Sequence, residues 1–354
     1  NYFYLSGYQQ VNPPLLEYSE TLNHGLGEVV GEQCFRLIDP YSQRMMVLRA
    51  DLTASVTRIA DSYLKHAPRP LRLAYCGNVL RVHAGHLRTE RQFTQAGVEL
   101  IGDPSWLSER EVILLALDSL KQLKIDSIAL ELSLPVLMSK LIKQSIADDH
   151  LHQQIVKIME TRNYNALSQL SMDSNLHHNL GLMLKARAIW SEAKPYLQQM
   201  KLNHLELQTL QQDFIFLGDH IHTLRPDIML SVDCAETNGF GYKNGLSFTL
   251  TERNQMRIIG RGGRYLSGFD AEPAVGFSFY LNNLLSSVEY ENDSQKILVD
   301  DGSHPDIDKW KQKGFSVIDS LIKPDLYNDK TLRELARVHQ CRYILKEGQL
   351  IKLD

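Results

Sequence analysis

From residue 7 to residue 100, short apolar runs alternate with turn residues: GYQQVNPPLLEY, CFRLID, MMVLRADLT, LRLAYCGNVLRV and FTQAGVELIG. Runs of this length, bounded by Gly, Pro, Asn and Asp, predict strands. Between them Val56, Ile59, Ala60 and Leu64 recur at helical spacing, so residues 52–64 predict a helix within a sheet-forming region. Ser108 and Glu111 have the spacing of a capping box and predict a helix from there to about Leu123. Ile128, Leu130 and Leu132 then alternate as one more strand, and Pro135 stands where another helix would begin.

The period changes from about 136 to 224, where glycine nearly vanishes and leucines recur every three or four residues through KLIKQSI, HQQIVKIM and LELQTLQQDFIFL. This predicts a helical insertion, because sheet signals resume with IMLSVDC, LSFTLTE and MRIIG. PAVGFSFYLNNLL, residues 273–285, then raises a question: Asn282 and Asn283 sit inside an apolar run. On a helix, neighbours lie about 100° apart, so both cannot decorate the surface if Phe279, Leu281, Leu284 and Leu285 face a core. Either one points toward a cleft, or the pair marks the polar boundary of a half-buried helix. Residues 1–285 therefore read as a core domain and the polar stretch 286–295 as a linker. Residues 296–354 read as a small α/β unit with helices around 306–313 and 330–339 and a hairpin turn near Glu347 and Gly348.

Composition narrows the class. With 354 residues, 43% hydrophobic and 23% charged, the chain is an ordinary soluble globular protein, and a net charge of -4 provides no global field for a polyanion. Apolar runs such as VILLAL are too short to span a bilayer and no signal-peptide pattern opens the sequence, so a cytoplasmic location is expected. Cys34, Cys76, Cys234 and Cys341 are far apart without CxxC spacing, which predicts reduced thiols. The histidine pairs at 150–152, 177–178 and 220–222 lack the acidic or thiolate company of a metal site, and no Walker loop or GxSxG elbow is present; neither metal nor cofactor is expected.

Two segments carry candidate chemistry. In FTQAGVELIG, period two sets Phe93, Gln95, Gly97 and Glu99 on one face and Thr94, Ala96, Val98 and Leu100 on the other. The second face is apolar and packs. The first sets an amide and a carboxylate about 13 Å apart with a glycine between them, which is either a notch for a small polar molecule or a solvated strand side. Upstream, Arg81, Arg88 and Arg91 with His83 and His86 crowd one loop, as an anion site or as a solvated basic loop. GRGGRY fails the GxGxxG spacing because Tyr265 occupies the third glycine position, so a tight turn is expected there.

These segments, in this order, resemble the class II aminoacyl-tRNA synthetases and within them the histidyl-tRNA synthetase lineage. GYQQVNPPLLEY looks like motif 1, GNVLRVHAGHLRTERQFTQAGVELIG like motif 2, and GGRY followed by PAVGFSFYLNNLL like the approach to motif 3. The resemblance implies an α+β fold: a class II synthetase-like antiparallel sheet flanked by helices, with the helical insertion and the small C-terminal unit. It also implies a histidine pocket in which Asp51, Thr53 and Gln95 hold the α-amino end, Glu99 faces the imidazole, and Arg81 and Tyr242 contribute. Three positions depart from a working synthetase: Asn283 stands where an arginine stacks on adenine, Asn238 where a catalytic arginine stands, and His83 where motif 2 has a glutamate. Adenylation builds charge on phosphate that needs preorganised cations, and asparagine supplies none.

A histidine-sized pocket without ATP chemistry resembles the regulatory subunits of ATP phosphoribosyltransferase, to which ETNGFGY and RADLT are closer. That resemblance implies a non-catalytic partner of the short catalytic subunit in the first step of histidine biosynthesis, with histidine as effector. It further implies a homodimer inside a hetero-oligomer, and no tRNA binding. The alternative it leaves is a histidine-tRNA ligase or residual histidine-activating enzyme.

Overall fold

The computed structural model describes residues 1–20, 33–83, 90–146, 148–236, 244–268, 270–286, 295–322 and 328–353. They form two compact units, Asn1–Val288 and Glu289–Asp354.

In the first unit, α1 (Tyr2–Leu5) and β1 (Gln9–Gln10) precede β2 (Leu16–Tyr18), β3 (Phe35–Ile38) and β4 (Met45–Leu48), then α2 (Leu52–Ser62), β5 (Leu71–Leu80), β6 (Gln92–Ile101), α3 (Trp106–Gln122) and β7 (Ile128–Ser133). The insertion supplies α4 (Pro135–Ser145), α5 (Asp149–Thr161), α6 (Tyr164–Gln169), α7 (Ser174–Lys185), β8 (Arg187–Ile189), α8 (Trp190–Gln198) and α9 (Leu205–Leu224). The unit closes with β9 (Met229–Asp233), β10 (Ser247–Glu252), β11 (Arg257–Ser267), β12 (Glu272–Tyr280) and α10 (Leu281–Leu285). Nine of these strands make one sheet in the order β1-β5-β6-β12-β11-β10-β7-β9-β8, while β2, β4 and β3 make a separate small sheet. The large sheet is mixed: its centre is antiparallel, and β1 with β5 and β7 with β9 run parallel.

Alternation along β6 divides the core in two. Val98 and Leu100 join α3, the insertion and Phe277 in one buried cluster, whereas Phe93 and Ile101 join α2, Tyr75, Tyr265 and Tyr280 in another. The insertion thus covers the face opposite α2. Its anchor to the sheet is ionic as well as apolar: Arg162 Nη2 donates to Asp233 Oδ2 at 2.6 Å and Arg187 Nε lies 3.3 Å from the same oxygen.

The second unit is a sheet in the order β14-β13-β15-β16, built from β13 (Lys296–Val299), β14 (Ser316–Asp319), β15 (Tyr343–Lys346) and β16 (Gln349–Lys352), with α11 (Ile307–Gln312) and α12 (Asp329–Val338). Its last two strands form a hairpin whose turn residues, Glu347 and Gly348, both have positive φ (47° and 78°), as a type I′ turn requires. No described helix is long and apolar enough to cross a membrane.

Four sequence expectations are corrected. PAVGFSFYLNNLL is a strand as far as Tyr280 and helical only from Leu281, because β12 lies in the middle of the sheet with both faces covered and so reads as a continuous apolar run. GRGGRY is no turn but the middle of β11, bonded to β10 and β12; the Phe248 ring lies where a side chain at 262 would go. The helix expected from Ser108 begins at Trp106 with Ser105 at the N-cap position, since Asp103 Oδ1 accepts from both the amide and the hydroxyl of Ser105 and turns the chain there. β8 interrupts the block read as purely helical, three residues being too few to show a period.

Leu250 is fully buried in the central strand β10. Leu250→Ala is expected to cost about 2–5 kcal/mol through the cavity it leaves, read as a lower denaturant midpoint in far-UV circular dichroism.

Candidate functional site

The first turn of α2 runs into the face of β5 and β6. Asp51 is its N-cap, and the carboxylate accepts from the Thr53 amide at 2.9 Å. Gln95 on β6 is fully buried: its Oε1 accepts from the Leu52 amide at 3.0 Å and its Nε2 donates to Asp51 Oδ2 at 2.9 Å. Arg81 Nε donates to the Ala50 carbonyl at 3.0 Å and Nη2 reaches Asp51 Oδ2 at 3.4 Å, with Cζ 5.0 Å from the Phe93 ring centroid. An amide, a guanidinium and a helix start therefore fix one carboxylate.

Four residues along β6, Glu99 is 1% exposed. Its Oε1 accepts from Thr53 Oγ1 at 2.8 Å and from the Tyr75 hydroxyl at 3.0 Å, and its Oε2 accepts from the Tyr265 hydroxyl at 2.8 Å. Tyr75 also meets Ser278 Oγ at 2.8 Å. Thr53 bridges the two acids, giving its amide to Asp51 and its hydroxyl to Glu99. The register explains the room: Gly97 pairs with Tyr75 and Ser278, and Gly276 pairs with Glu99. A Cβ on Gly276 would lie 1.9 Å from Glu99 Oε2, and one on Gly97 2.6 Å from the Tyr75 hydroxyl, so neither position accepts a side chain.

Burial pushes the Glu99 carboxyl up to about 8; the three hydroxyls pull it down and the Asp51 charge adds to the rise. Desolvation likewise raises Tyr75 well above the ordinary phenol. The arrangement is a set of acceptors at two stations, Asp51 partly open to water and Glu99 enclosed behind it, of a kind suited to a ligand with an ammonium at one end and a polar N–H at the other.

Asp51, Thr53, Arg81, Gln95 and Glu99 are thus brought together, and the solvated-strand reading of Gln95 and Glu99 fails on their burial. Tyr242, Asn238, Arg88 and His86 lie outside the described residues. His83 is exposed just beyond β5. The two asparagines of the opening question have partners outside the set of Asp51, Gln95 and Glu99. Asn283 Nδ2 donates to the Ile258 carbonyl at 2.7 Å, while Asn282 accepts from the Thr94 amide at 3.1 Å and donates to Glu90 Oε2 at 3.2 Å, so both tie α10 to neighbouring strands. Tyr75, Tyr265 and Ser278 were not legible as site residues, because only strand pairing places them against Glu99.

Among the described residues no His, Cys, Asp and Glu group could hold a metal. A depression of about 600 Å³ opens on the other side of the sheet between α1 and α3. Of its charged groups Arg72 pairs with Glu111 and Asp118 with Arg225, Asp103 accepts from Ser105, and Arg110 stands over the Trp106 ring, so the acceptor set at Asp51 and Glu99 is kept as the candidate.

Comparison with known proteins bears on the family and the fold. The histidyl-tRNA synthetase family model matches residues 1–284. The ATP phosphoribosyltransferase regulatory subunit of Rhodospirillum centenum is 35% identical over 353 residues, 98% of this chain and 88% of the relative. That of Gluconobacter oxydans is 32% identical over 345 residues, 97% of this chain and 88% of the relative. Among solved structures, an ATP phosphoribosyltransferase regulatory subunit/histidyl-tRNA synthetase from Bacillus halodurans C superimposes with a TM-score of 0.78 at 21% identity, covering 98% of this chain and 90% of that one. A chain of the ATP phosphoribosyl transferase (HisG:HisZ) complex from Thermotoga maritima gives 0.61 at 20% identity, over 79% of this chain and 93% of that one.

The raised Glu99 carboxyl has a stability signature. Between its ordinary value of 4.5 and about 8 the folded chain keeps a proton that the unfolded chain has released, so this group's contribution to stability falls as pH rises across that window. Glu99→Gln removes the term: the melting temperature of the variant minus that of the parent should increase from pH 5 to pH 8, and a constant difference would contradict the raised value.

Proposed function

Because the chain belongs to the histidyl-tRNA synthetase family and, within it, to the ATP phosphoribosyltransferase regulatory subunits, we propose that it binds histidine and regulates a short catalytic phosphoribosyltransferase without catalysing a reaction itself. The observation that carries the non-catalytic part is Asn283: in a pocket with its acceptors in place, the residue at the adenine-stacking position is a neutral amide turned onto the Ile258 carbonyl. An adenylate-forming site needs fixed cations around the phosphate, and losing one such partner typically lowers the rate about 10²–10³-fold.

Free histidine matches the two stations. Its ammonium is held by Asp51 and Gln95 with Thr53 alongside, its imidazole N–H goes to Glu99, and Arg81 offers the cation for the carboxylate. Tyr242 is assigned to the imidazole side on the family resemblance alone. Two copies of the chain assemble with the catalytic subunit in the cytoplasm, and the assembly raises the transferase rate. Histidine inhibits to the extent that it binds the active and inactive assemblies with different affinity, and the coupling is reciprocal.

The test is the rate of phosphoribosyl-ATP formation by the matching short subunit alone, with this protein, and with added histidine. Stimulation reversed by histidine is the expected result. An unchanged rate, or histidine-dependent exchange of pyrophosphate into ATP by this chain, would overturn the reading. In calorimetry Glu99→Gln should weaken histidine binding roughly 10–100-fold, the range for a buried polar group left without its partner.

A further inference from the structure

Two consecutive residues of β11 serve opposite faces of the sheet. Tyr265 donates to Glu99 Oε2 at 2.8 Å in the cleft. Arg264, pointing the other way, donates through Nε to Glu109 Oε1 at 2.6 Å, through Nη1 to the Asp103 carbonyl at 2.9 Å, and through Nη2 to the Ser105 carbonyl at 2.8 Å and Ser108 Oγ at 2.9 Å. All four acceptors belong to the start of α3 or the turn before it. That end of α3 lies on α9 of the insertion: Trp106 meets His220 and Phe216 with ring centroids 4.9 and 6.3 Å apart. Asp213 of α9 feels the Arg264 charge, and it and Glu109 repel one another. The groups gathered around Arg264 are therefore Glu109 and Ser108 from α3, Asp103 and Ser105 from the turn before it, and Asp213 from α9.

Resting on the histidine-effector reading, we propose that the Arg264–Tyr265 step of β11 is a coupling element that carries occupancy of the Glu99 cleft to the α3–α9 helix pair. Glu99 is 1% exposed behind Thr53, Tyr75 and Tyr265, so a ligand N–H reaches its carboxyl only if one of these enclosing side chains gives way, and Tyr265 is the one bonded to Oε2. Tyr265 and Arg264 share one strand in a close-packed sheet and cannot shift independently. A guanidinium fork with four acceptors is sensitive to displacement, because its donors are rigid and planar. The start of α3 follows it, and α9 packs on α3.

Trp106 is a native reporter at the receiving end. Its emission is followed during a histidine titration, a Trp106→Phe variant subtracting Trp190 and Trp310, with calorimetry giving the affinity in parallel. The parent should respond, and Arg264→Lys should keep the affinity within about threefold while losing most of the response, a split that a merely structural arginine would not produce. Should Arg264→Lys not fold, Ser108→Ala removes one acceptor of the fork and should lower the response in part. Binding without a Trp106 response in the parent, or an undiminished response in the variants, overturns the coupling and leaves the effector reading standing. Absence of histidine binding in calorimetry overturns both.

Discussion

Glu99 keeps its carboxyl in the middle of a sheet, where taking a charge out of water is costly unless donors replace the lost hydration. Thr53, Tyr75 and Tyr265 are those donors, and they come from α2, β5 and β11, which are far apart in sequence. The cleft therefore exists only when the helix and strands are assembled together. The two glycines that pass under the carboxylate and the Tyr75 ring are part of the same constraint, since a side chain at either would displace the acceptor or its donor.

Asp51 is held differently. It stays at a helix start, partly open to water, where the Thr53 amide, Gln95 and Arg81 fix its oxygens. The cleft thus pairs a solvated, fixed carboxylate with a dry one whose proton is retained to higher pH. A ligand that brings an ammonium to the first and an N–H to the second would match both. At position 283 an amide donates to the Ile258 carbonyl and ties α10, at the end of β12, to β11.

The back of the sheet shows why the helical insertion belongs to the same unit. Its helices share one continuous core with β6, β12 and α3, and two arginines of the insertion converge on the buried Asp233. Asp233 is buried while both arginines are partly exposed, so the pairs add a modest ionic tie to the shared apolar core that holds the insertion to the sheet. That coupling is what lets the cleft on one face bear on helices at the other.

Much of this was legible in the residues. Period-two alternation in FTQAGVELIG put Gln95 and Glu99 on one face before any strand was paired, and the loss of glycine with leucines at helical spacing marked the insertion, because both are local periodicities of the backbone. The order of motifs identified the family, and the resemblance singled out Asp51, Thr53 and Arg81, which the structure places beside Gln95 and Glu99. Local pattern misled where the environment was symmetrical or crowded: β12 looked helical because both its faces are covered, and GRGGRY looked like a turn because its glycines answer to Phe248 and the neighbouring strands instead of to a bend. The hydroxyl cage around Glu99, the turning of Asn283 onto Ile258 and the grip of Arg264 on α3 were decided by tertiary structure alone. Each joins residues from 24 to 166 positions apart, and strand register, which no local period encodes, sets who meets whom.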